Sequence, residues 1–231
     1  MNNWLKTLSL LQMLQISRGS KVKAIIVGAG GFGKEIAFLL QSISRYELIG
    51  FVDDSLKMQN QELLGKPVLG TIDSLIELEE ETVIFMGIAS PDIKEKIYQK
   101  INKNNKLIFP NLVAPSALVG INVQLGIGNI LMPYTTYTAD VVLGNFNMIN
   151  IGSTIGHDAQ IGNYNSIFPS VNISGHVILG DKNEIGVGTK IIQNLRIGNM
   201  NIIGAGSVVI KNINNNTKNV GVPTKVIERW D

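Results

Sequence analysis

The chain of 231 residues lacks cysteine altogether, which excludes a disulfide framework and a thiolate metal site. Aromatic residues make up only 6% of the chain, and charged residues make up 16%, with a formal net charge of +2. A charge so close to balance gives no reason to expect nucleic acid or an anionic membrane surface as the partner. No stretch reaches the ~18 consecutive apolar residues that indicate a membrane span. We therefore expect a cytoplasmic protein without a membrane span.

The first twenty residues lack the features of a signal peptide. One lysine precedes the apolar run, two glutamines interrupt that run, and no small-residue cleavage site follows it. Trp4, Leu8 and Leu11 lie near helical spacing, which predicts a short amphipathic helix. We interpret residues 1–20 as an N-terminal extension that packs on a neighbour.

A six-residue repeat occupies the second half of the chain. Seventeen positions spaced six apart continue without a frame shift, and sixteen of them are aliphatic. This period fits neither the 3.6 residues of an α-helix turn nor a simple hairpin array, and it is typical of a parallel β-helix. The positions are Val113, Val119, Leu125, Leu131, Tyr137, Leu143, Ile149, Ile155, Ile161, Ile167, Ile173, Leu179, Ile185, Ile191, Ile197, Ile203 and Val209.

Each repeat predicts one short strand and one corner, and three repeats close a triangular coil. Residues eighteen apart then stack about 4.8 Å apart along the axis, with the aliphatic residue pointing inward. Glycine often follows that residue, as at Gly120 and Gly156, and we expect Gly and Asn to occupy corners that need positive φ. The repeat resembles known left-handed prisms, an exception to right-handed crossovers. We predict an all-β left-handed parallel β-helix over residues 109–213, followed by a C-terminal tail over residues 214–231.

The first half of the chain contains a glycine-rich turn. The apolar run VKAIIV (22–27) precedes GAGGFG (28–33), and helical residues are expected from Lys34 to Ser42. This matches G-x-G-x-x-G between a strand and a helix, where glycines admit a phosphate close to the backbone and the helix N-terminus offers unpaired N–H groups. The pattern indicates a nucleotide site.

A second strand, ELIGFV (47–52), ends at Asp53 and Asp54, and further strands are expected near Val83 and Leu107. Four strands make a small Rossmann-like α/β domain over residues 21–108, shorter than the six-stranded fold that binds a dinucleotide. We therefore favour one nucleotide carrying another group. A nicotinamide cofactor and a purely structural glycine turn remain the alternatives.

This combination of an α/β nucleotide domain and a hexapeptide prism resembles one family. It is similar to the nucleotide-sugar N-acetyltransferases of the bacillosamine and perosamine pathways and to the related sialic acid O-acetyltransferases. The resemblance covers residues 22–227. It is carried by GAGGFGKE (28–35), FVDD (51–54), STIGHDAQIG (153–162), GVGTK (186–190), IIGAGSVV (202–209) and GVPTKVI (221–227).

The resemblance implies an acetyl-CoA-dependent acyltransferase that acts on the amino group of a nucleotide-linked sugar, of the 4-amino-4,6-dideoxy type, in O-antigen biosynthesis. It also implies a homotrimer whose active sites lie between adjacent prisms, with acetyl-CoA in the groove between them. No metal is expected, because two histidines per chain do not supply the three zinc ligands of a β-helix carbonic anhydrase. The residues matching the family's functional positions are His157 as general base, Asp158 as its acidic neighbour, Gly30, Gly31, Phe32, Asp53 and Asp54 for the sugar nucleotide, and Ser166, Gly175, Val187 and Ala205 for acetyl-CoA.

Elementary chemistry agrees with a histidine base. Transfer from a thioester to an amine needs an uncharged amine, alignment of the two substrates and a donor for the developing oxyanion. An imidazole suits the first task at neutral pH, while alignment removes more of the barrier. We expect His157 near a corner and facing another subunit, with oxyanion donors near Gly175. The second histidine, His176, is expected at a solvated corner.

Other functions stay open from the residues alone. An O-acetyltransferase acting on a sugar hydroxyl would use the same His157 base. A non-catalytic trimeric scaffold, or a metabolic acyltransferase without a nucleotide site, would lack a use for the glycine turn and for Asp53 and Asp54. Trimerisation is further expected because Phe146, Met148, Tyr164 and Phe168 read as apolar residues exposed on the prism.

Overall fold

The computed structural model describes residues 21–230, so the predicted N-terminal extension lies outside the described residues. The described chain begins with an α/β unit. Its elements are β1 (Val22–Val27), α1 (Gly31–Leu40), β2 (Tyr46–Val52), β3 (Glu62–Leu63), β4 (Lys66–Gly70), a 3₁₀ helix (Ile72–Glu77), β5 (Thr82–Met86), α2 (Pro91–Ile101) and β6 (Leu107–Ile108).

One six-stranded sheet forms the centre of this unit. Its strands lie in the order β3-β4-β2-β1-β5-β6, and every pair is parallel except the β3–β4 hairpin. The five parallel strands therefore follow the order 3-2-1-4-5 of a Rossmann sheet that lacks its last strand. The order reverses between β1 and β5, and ligands of such sheets bind at that point. The Rossmann-like prediction is confirmed.

Four strands were predicted from the sequence for this unit, and the hairpin of β3 and β4 was not among them. Leu64 and Gly65 connect the two strands with φ angles of 51° and 72°. A two-residue turn with positive φ at both positions usually contains Asn, Asp or Gly. Leucine at the first position hides that signal.

Helices cover both faces of the sheet. Ala24 and Ile26 of β1 pack with the apolar side of α1, whereas Ile25 and Val27 pack with α2 on the opposite face. A strand buried on both sides reads as a continuous apolar run, which explains VKAIIV. Helix α1 begins three residues before the predicted start and ends at Leu40.

Seventeen two-residue strands then form three parallel sheets, called face 1, face 2 and face 3. Face 1 contains β7 (Leu112–Val113), β10 (Ile130–Leu131), β13 (Met148–Ile149), β16 (Ser166–Ile167), β19 (Glu184–Ile185) and β22 (Ile202–Ile203). Face 2 contains β8 (Leu118–Val119), β11 (Thr136–Tyr137), β14 (Thr154–Ile155), β17 (Asn172–Ile173), β20 (Lys190–Ile191) and β23 (Val208–Val209). Face 3 contains β9 (Gln124–Leu125), β12 (Val142–Leu143), β15 (Gln160–Ile161), β18 (Ile178–Leu179) and β21 (Arg196–Ile197).

Strands of one face follow one another at intervals of eighteen residues, so three repeats close each coil. The second residue of every strand is the inward residue predicted from the repeat, and all of these from Leu131 to Val209 are buried in one core. Val119, near the first coil, is 40% exposed because that end of the column is open. The prediction of a left-handed parallel β-helix is confirmed.

The corners repeat their backbone angles every six residues. From residue 122 to residue 206, fifteen consecutive positions spaced six apart have positive φ. Only four of them are glycine, and Phe146, Asp158 and His176 are among the others. The coil therefore imposes a left-handed conformation on residues that rarely adopt it alone.

The glycine after the inward residue has a different role from the one expected. Gly156 does not have positive φ, and a Cβ at this position would lie 2.6 Å from the backbone nitrogen of Gly175 in the next coil. Glycine here permits close approach of two coils. The expectation that these glycines supply positive φ was wrong.

A ladder of buried asparagines follows the corner between faces 3 and 1, called corner 3–1. The Oδ1 atom of each asparagine except the last accepts the backbone N–H and the Nδ2–H of the asparagine one coil further on, at 2.8–3.1 Å. Buried amides are costly unless they are hydrogen-bonded, and the ladder satisfies them. Its members are Asn129, Asn147, Asn165, Asn183 and Asn201.

The α/β unit covers face 1. Phe146 packs on Tyr98 of α2 and on Phe109, with ring centroids 4.3 and 5.7 Å away, and Phe146 and Met148 are each 2% exposed. The expectation that these two side chains are exposed on the prism was therefore wrong, because the chain's own α/β unit covers them. Tyr164 and Phe168 are half-buried.

The expected C-terminal tail contains a hairpin. Strand β24 (Thr217–Val220) extends face 1 beside β22, and β25 (Lys225–Arg229) returns antiparallel to it. Among residues 21–230, no helix combines the length and the apolar character needed to cross a membrane.

Candidate functional site

His157 and Asp158 lie at corner 2–3, the corner between faces 2 and 3, directly after β14. Asp158 has a φ of 58°, and its Oδ2 atom lies 2.7 Å from Nδ1 of His157. Neighbouring residues of a strand point to opposite sides, so the corner brings this pair together. The two side chains are 60% and 45% exposed, which leaves them accessible to substrates.

This contact sets the tautomer of the neutral imidazole. A carboxylate can only accept, so the proton belongs on Nδ1 of His157 and the lone pair on Nε2. Within residues 21–230, Nε2 of His157 has no hydrogen-bond partner. The ring therefore presents a free acceptor at the edge of the prism.

Gly175 lies one coil beyond His157 and forms the surface on which the imidazole rests. A Cβ at Gly175 would lie 2.6 Å from both Cε1 and Nε2 of the ring. Only glycine leaves room for the imidazole in this position.

His176 joins the pair, although the sequence indicated only a solvated corner. Its Nε2 atom lies 3.5 Å from Oδ2 of Asp158, and its ring is perpendicular to that of His157 with centroids 5.0 Å apart. The side chain is 55% exposed. The eighteen-residue stacking rule was the signal that could have found this contact, because it places residue 176 directly on residue 158.

The glycine-rich turn has three distinct glycine positions. Gly28 has a φ of 98°, and a Cβ at Gly33 would lie 2.1 Å from the carbonyl oxygen of Gly28. Gly30 is the N-cap of α1, and added Cβ atoms at Gly30 and Gly31 would meet nothing within 4 Å. In a phosphate-binding turn, one glycine forms the tight turn, a second leaves room for the phosphate, and a third lets the helix pack closely on the strand. Gly28, Gly30 and Gly33 fit these three uses in that order.

Asp53 supports this turn from the end of β2. Its Oδ2 accepts the N–H of Ala29 and its Oδ1 accepts that of Ser55, both at 2.8 Å. Asp54 accepts the N–H of Ile72 at 2.8 Å, at the start of the 3₁₀ helix. Both carboxylates thus make backbone contacts within the unit, which orders the loop beside the predicted nucleotide site.

Phe32 lies in the first turn of α1 and is half-buried against the core of the α/β unit. It therefore supports the turn through packing, next to the exposed Gly30 and Gly31.

The residues predicted to bind acetyl-CoA are not all brought together. Gly175 lies at corner 2–3. Val187 and Ala205 stack one coil apart at corner 1–2, on the other side of face 2, and Val187 is 49% exposed. Within one chain, face 2 therefore separates Gly175 from the other two.

Ser166 lies elsewhere, on face 1 beneath the α/β unit. It is fully buried, and its Oγ accepts a hydrogen bond from Lys94 at 3.0 Å and donates to the carbonyl of Ala89. The Oγ atom of Ser166 is therefore hydrogen-bonded within the contact between the α/β unit and the prism.

A Rossmann-like unit on a left-handed β-helix, with an accessible histidine at a corner, agrees with the expectation of an acyltransferase built from hexapeptide repeats. Residues 23–101 match the family model described as the PglD N-terminal domain. No curated protein sequence matched the chain.

Solved structures are similar over most of the chain. The acetyltransferase domain of PglB from Neisseria gonorrhoeae, in complex with acetyl coenzyme A, is 28% identical with a TM-score of 0.84, covering 90% of this chain and 100% of that one. PerB from Caulobacter crescentus, in complex with CoA and GDP-perosamine, is 27% identical with a TM-score of 0.82, covering 92% and 100%. WeeI from Acinetobacter baumannii is 27% identical with a TM-score of 0.81, covering 90% and 100%.

These matches confirm the resemblance to sugar acetyltransferases that the sequence indicated, and with it the prediction of an acyltransferase. The prediction of acetyl-CoA as co-substrate agrees with the CoA and acetyl-CoA present in two of those structures.

Proposed function

We propose that this chain transfers the acetyl group of acetyl-CoA to an amine of a nucleotide-linked 4-amino-4,6-dideoxy sugar. The observation that carries the proposal is the 2.7 Å contact between Nδ1 of His157 and Asp158, which leaves Nε2 free at an exposed corner. A nucleotide turn and an acyltransferase prism in one chain supply the two substrate sites. The proposed location is the cytoplasm.

In the proposed mechanism Nε2 of His157 removes the proton from the attacking amine. The resulting imidazolium donates to Asp158 through Nδ1, so the carboxylate stabilises the charge that forms. The thioester carbon receives the nitrogen, the tetrahedral intermediate collapses, and the CoA thiolate leaves and takes up a proton.

The oxyanion of that intermediate needs a donor beside the base. The N–H of Gly175 has no acceptor within residues 21–230, and Gly175 directly contacts the imidazole. We assign this N–H as the oxyanion donor, a preorganised dipole that requires no movement during the reaction.

The two substrate sites point to catalysis between chains. The α/β unit contacts face 1 and its bordering corners, through Phe146 and Lys94 on one side and through Asn150, whose Nδ2 donates to Glu35 at 3.2 Å, on the other. Corner 2–3 is the one corner of a triangular prism that does not border face 1. A sugar held by the α/β unit therefore meets the His157 of another chain.

A homotrimer supplies this geometry with one repeated interface. In the proposed assembly corner 2–3 of one prism faces corner 1–2 of the next, which brings Gly175 of one chain toward Val187 and Ala205 of its neighbour. Closed three-fold symmetry then makes three equivalent acetyl-CoA grooves.

The reaction is tested with acetyl-CoA and a panel of UDP-, dTDP- and GDP-linked amino sugars, each paired with the sugar carrying a hydroxyl in place of the amine. A thiol reagent follows CoA release without background because the protein has no cysteine. We expect turnover of an amino sugar, and a drop in kcat of about 10²–10⁴ in the His157→Asn variant. Equal turnover of the hydroxyl sugar would identify an O-acetyltransferase, and full activity of His157→Asn would refute the base.

A further inference from the structure

The only two histidines of the chain meet at one carboxylate. Asp158 Oδ2 lies 2.7 Å from Nδ1 of His157 and 3.5 Å from Nε2 of His176. All three donor atoms lie within 4.8 Å of one another, and all three residues are exposed. Two imidazoles and one carboxylate form a donor set that zinc accepts in proteins.

The backbone holds these donors in place. Asp158 and His176 occupy equivalent corner positions with φ of 58° and 56°. The N–H of Asp158 donates to Ala139 at 3.0 Å, and that of His176 donates to the carbonyl of His157 at 2.8 Å. Because the three Cα atoms belong to stacked coils of a rigid prism, only side-chain rotation is needed to adjust the donors.

We propose that Nδ1 of His157, the Asp158 carboxylate and Nε2 of His176 bind a zinc ion. Ligands about 2.0–2.1 Å from a tetrahedral zinc are separated from one another by roughly 3.3 Å. The observed separations of 2.7 and 3.5 Å lie on either side of that value. Water completes the coordination, since exposure of the three side chains leaves the remaining position open.

Zinc at this site switches the base off, a consequence that rests on the proposed function. Metal on Nδ1 of His157 takes the place of the proton there, so the neutral ring carries its proton on Nε2. Nε2 then donates instead of accepting and cannot remove the proton from the amine. Inhibition therefore follows even though the metal lies on the opposite nitrogen from the substrate.

Binding is measured first, without substrates, by titrating the purified full-length protein with ZnCl₂ in competition with a chromophoric chelator. We expect one zinc per chain. His176→Asn keeps a residue that tolerates positive φ, and its affinity should fall more than about tenfold, because even outer-shell changes cost 10–100-fold. Asp140→Asn, at the same corner one coil earlier, is the matched control and should bind zinc as the unaltered protein does.

Absence of binding at 100-fold molar excess of zinc, or equal affinity in His176→Asn, would overturn the site. These binding measurements do not require catalysis, so their outcome can be distinguished from a failure of the proposed function.

Inhibition is then followed by mass spectrometry of the acetylated product, since free CoA thiol itself binds zinc. We expect EDTA to restore the rate and His176→Asn to require at least tenfold more zinc for half-inhibition, relative to its own metal-free rate. Zinc binding that leaves turnover unchanged would overturn the inhibitory role.

Discussion

At the scale of single residues, the site depends on the absence of a side chain at Gly175. The imidazole of His157 occupies the volume that a Cβ would fill one coil further along, so the orientation of the ring is determined by a missing side chain as well as by Asp158. The contact is made to the end of a rotatable side chain, and not to the backbone. An added methyl group therefore displaces the ring without disturbing the coil.

Gly175→Ala should lower kcat at least about tenfold while changing the midpoint of thermal unfolding little, because misplacing a catalytic group by about 1 Å can cost 10²-fold in rate. Steady-state kinetics and calorimetry check the two expectations. Ser174→Ala, at a neighbouring side chain without a hydrogen bond in the described range, is the control and should keep the normal rate. Unchanged kcat in Gly175→Ala would show that the ring has another productive position.

At the scale of elements, α2 attaches the α/β unit to the prism through one buried lysine. The Nζ atom of Lys94 donates to the carbonyls of Phe146 and Asn165, at 3.2 and 3.1 Å, and to Oγ of Ser166. Around it, Lys182 of corner 3–1 pairs with Asp92 at 3.5 Å and with Glu95. Burial lowers the pKa of Lys94 from 10.5 to about 7, with Glu184 acting in the opposite direction.

This lysine makes stability depend on pH in a definite direction. Above pH 7 the unfolded chain still binds the Lys94 proton while the folded chain releases it, so the free energy of unfolding rises with pH. From pH 7 to pH 9.5 the rise is about 3 kcal/mol for a pKa of 7 in the folded state. Urea unfolding at both values should show it.

Lys94→Met, which keeps the length of the side chain without its charge, should remove most of that rise. Lys96→Met on the same helix is the control, since Lys96 is exposed and its variant should keep the full pH dependence. If Lys94→Met and the unaltered protein show the same change between pH 7 and pH 9.5, the lysine is not the titrating group.

At the scale of the whole molecule, our proposal that catalysis takes place between chains rests on where the two predicted sites lie. The nucleotide turn belongs to a unit seated on face 1, and His157 lies at corner 2–3, across the prism from that face. The motifs of both sites are visible in the sequence, but the distance between them within one chain follows only from the fold.

Mixing two inactive variants tests this arrangement. His157→Asn lacks the base, and Gly31→Asp places a carboxylate where a phosphate is expected, with open space around it and a favourable position for an acid at the start of a helix. Co-expressed at equal amounts, they should regain about a quarter of normal activity, because one interface in four then pairs an intact turn with an intact base. Sedimentation should show three chains. Activity that stays at the level of the separate variants would place both sites in one chain.

Much of this protein was determined by its sequence. The repeat predicted the inward residue of every two-residue strand, because a coil that closes every eighteen residues leaves one register in which these aliphatic side chains are buried. The glycine turn was equally readable, since Gly28 and Gly33 meet steric demands that no other residue satisfies. Both signals are local and periodic.

Contacts between distant segments were decided only by the tertiary structure. From the sequence alone, Phe146, Met148 and Ser166 are surface residues of a prism, whereas in the fold the α/β unit covers face 1. The sequence also does not indicate that Lys94 is buried, because its hydrogen-bond partners lie 52–72 positions away along the chain. Burial of one unit against another is a property of the assembled fold, and no single stretch of sequence encodes it.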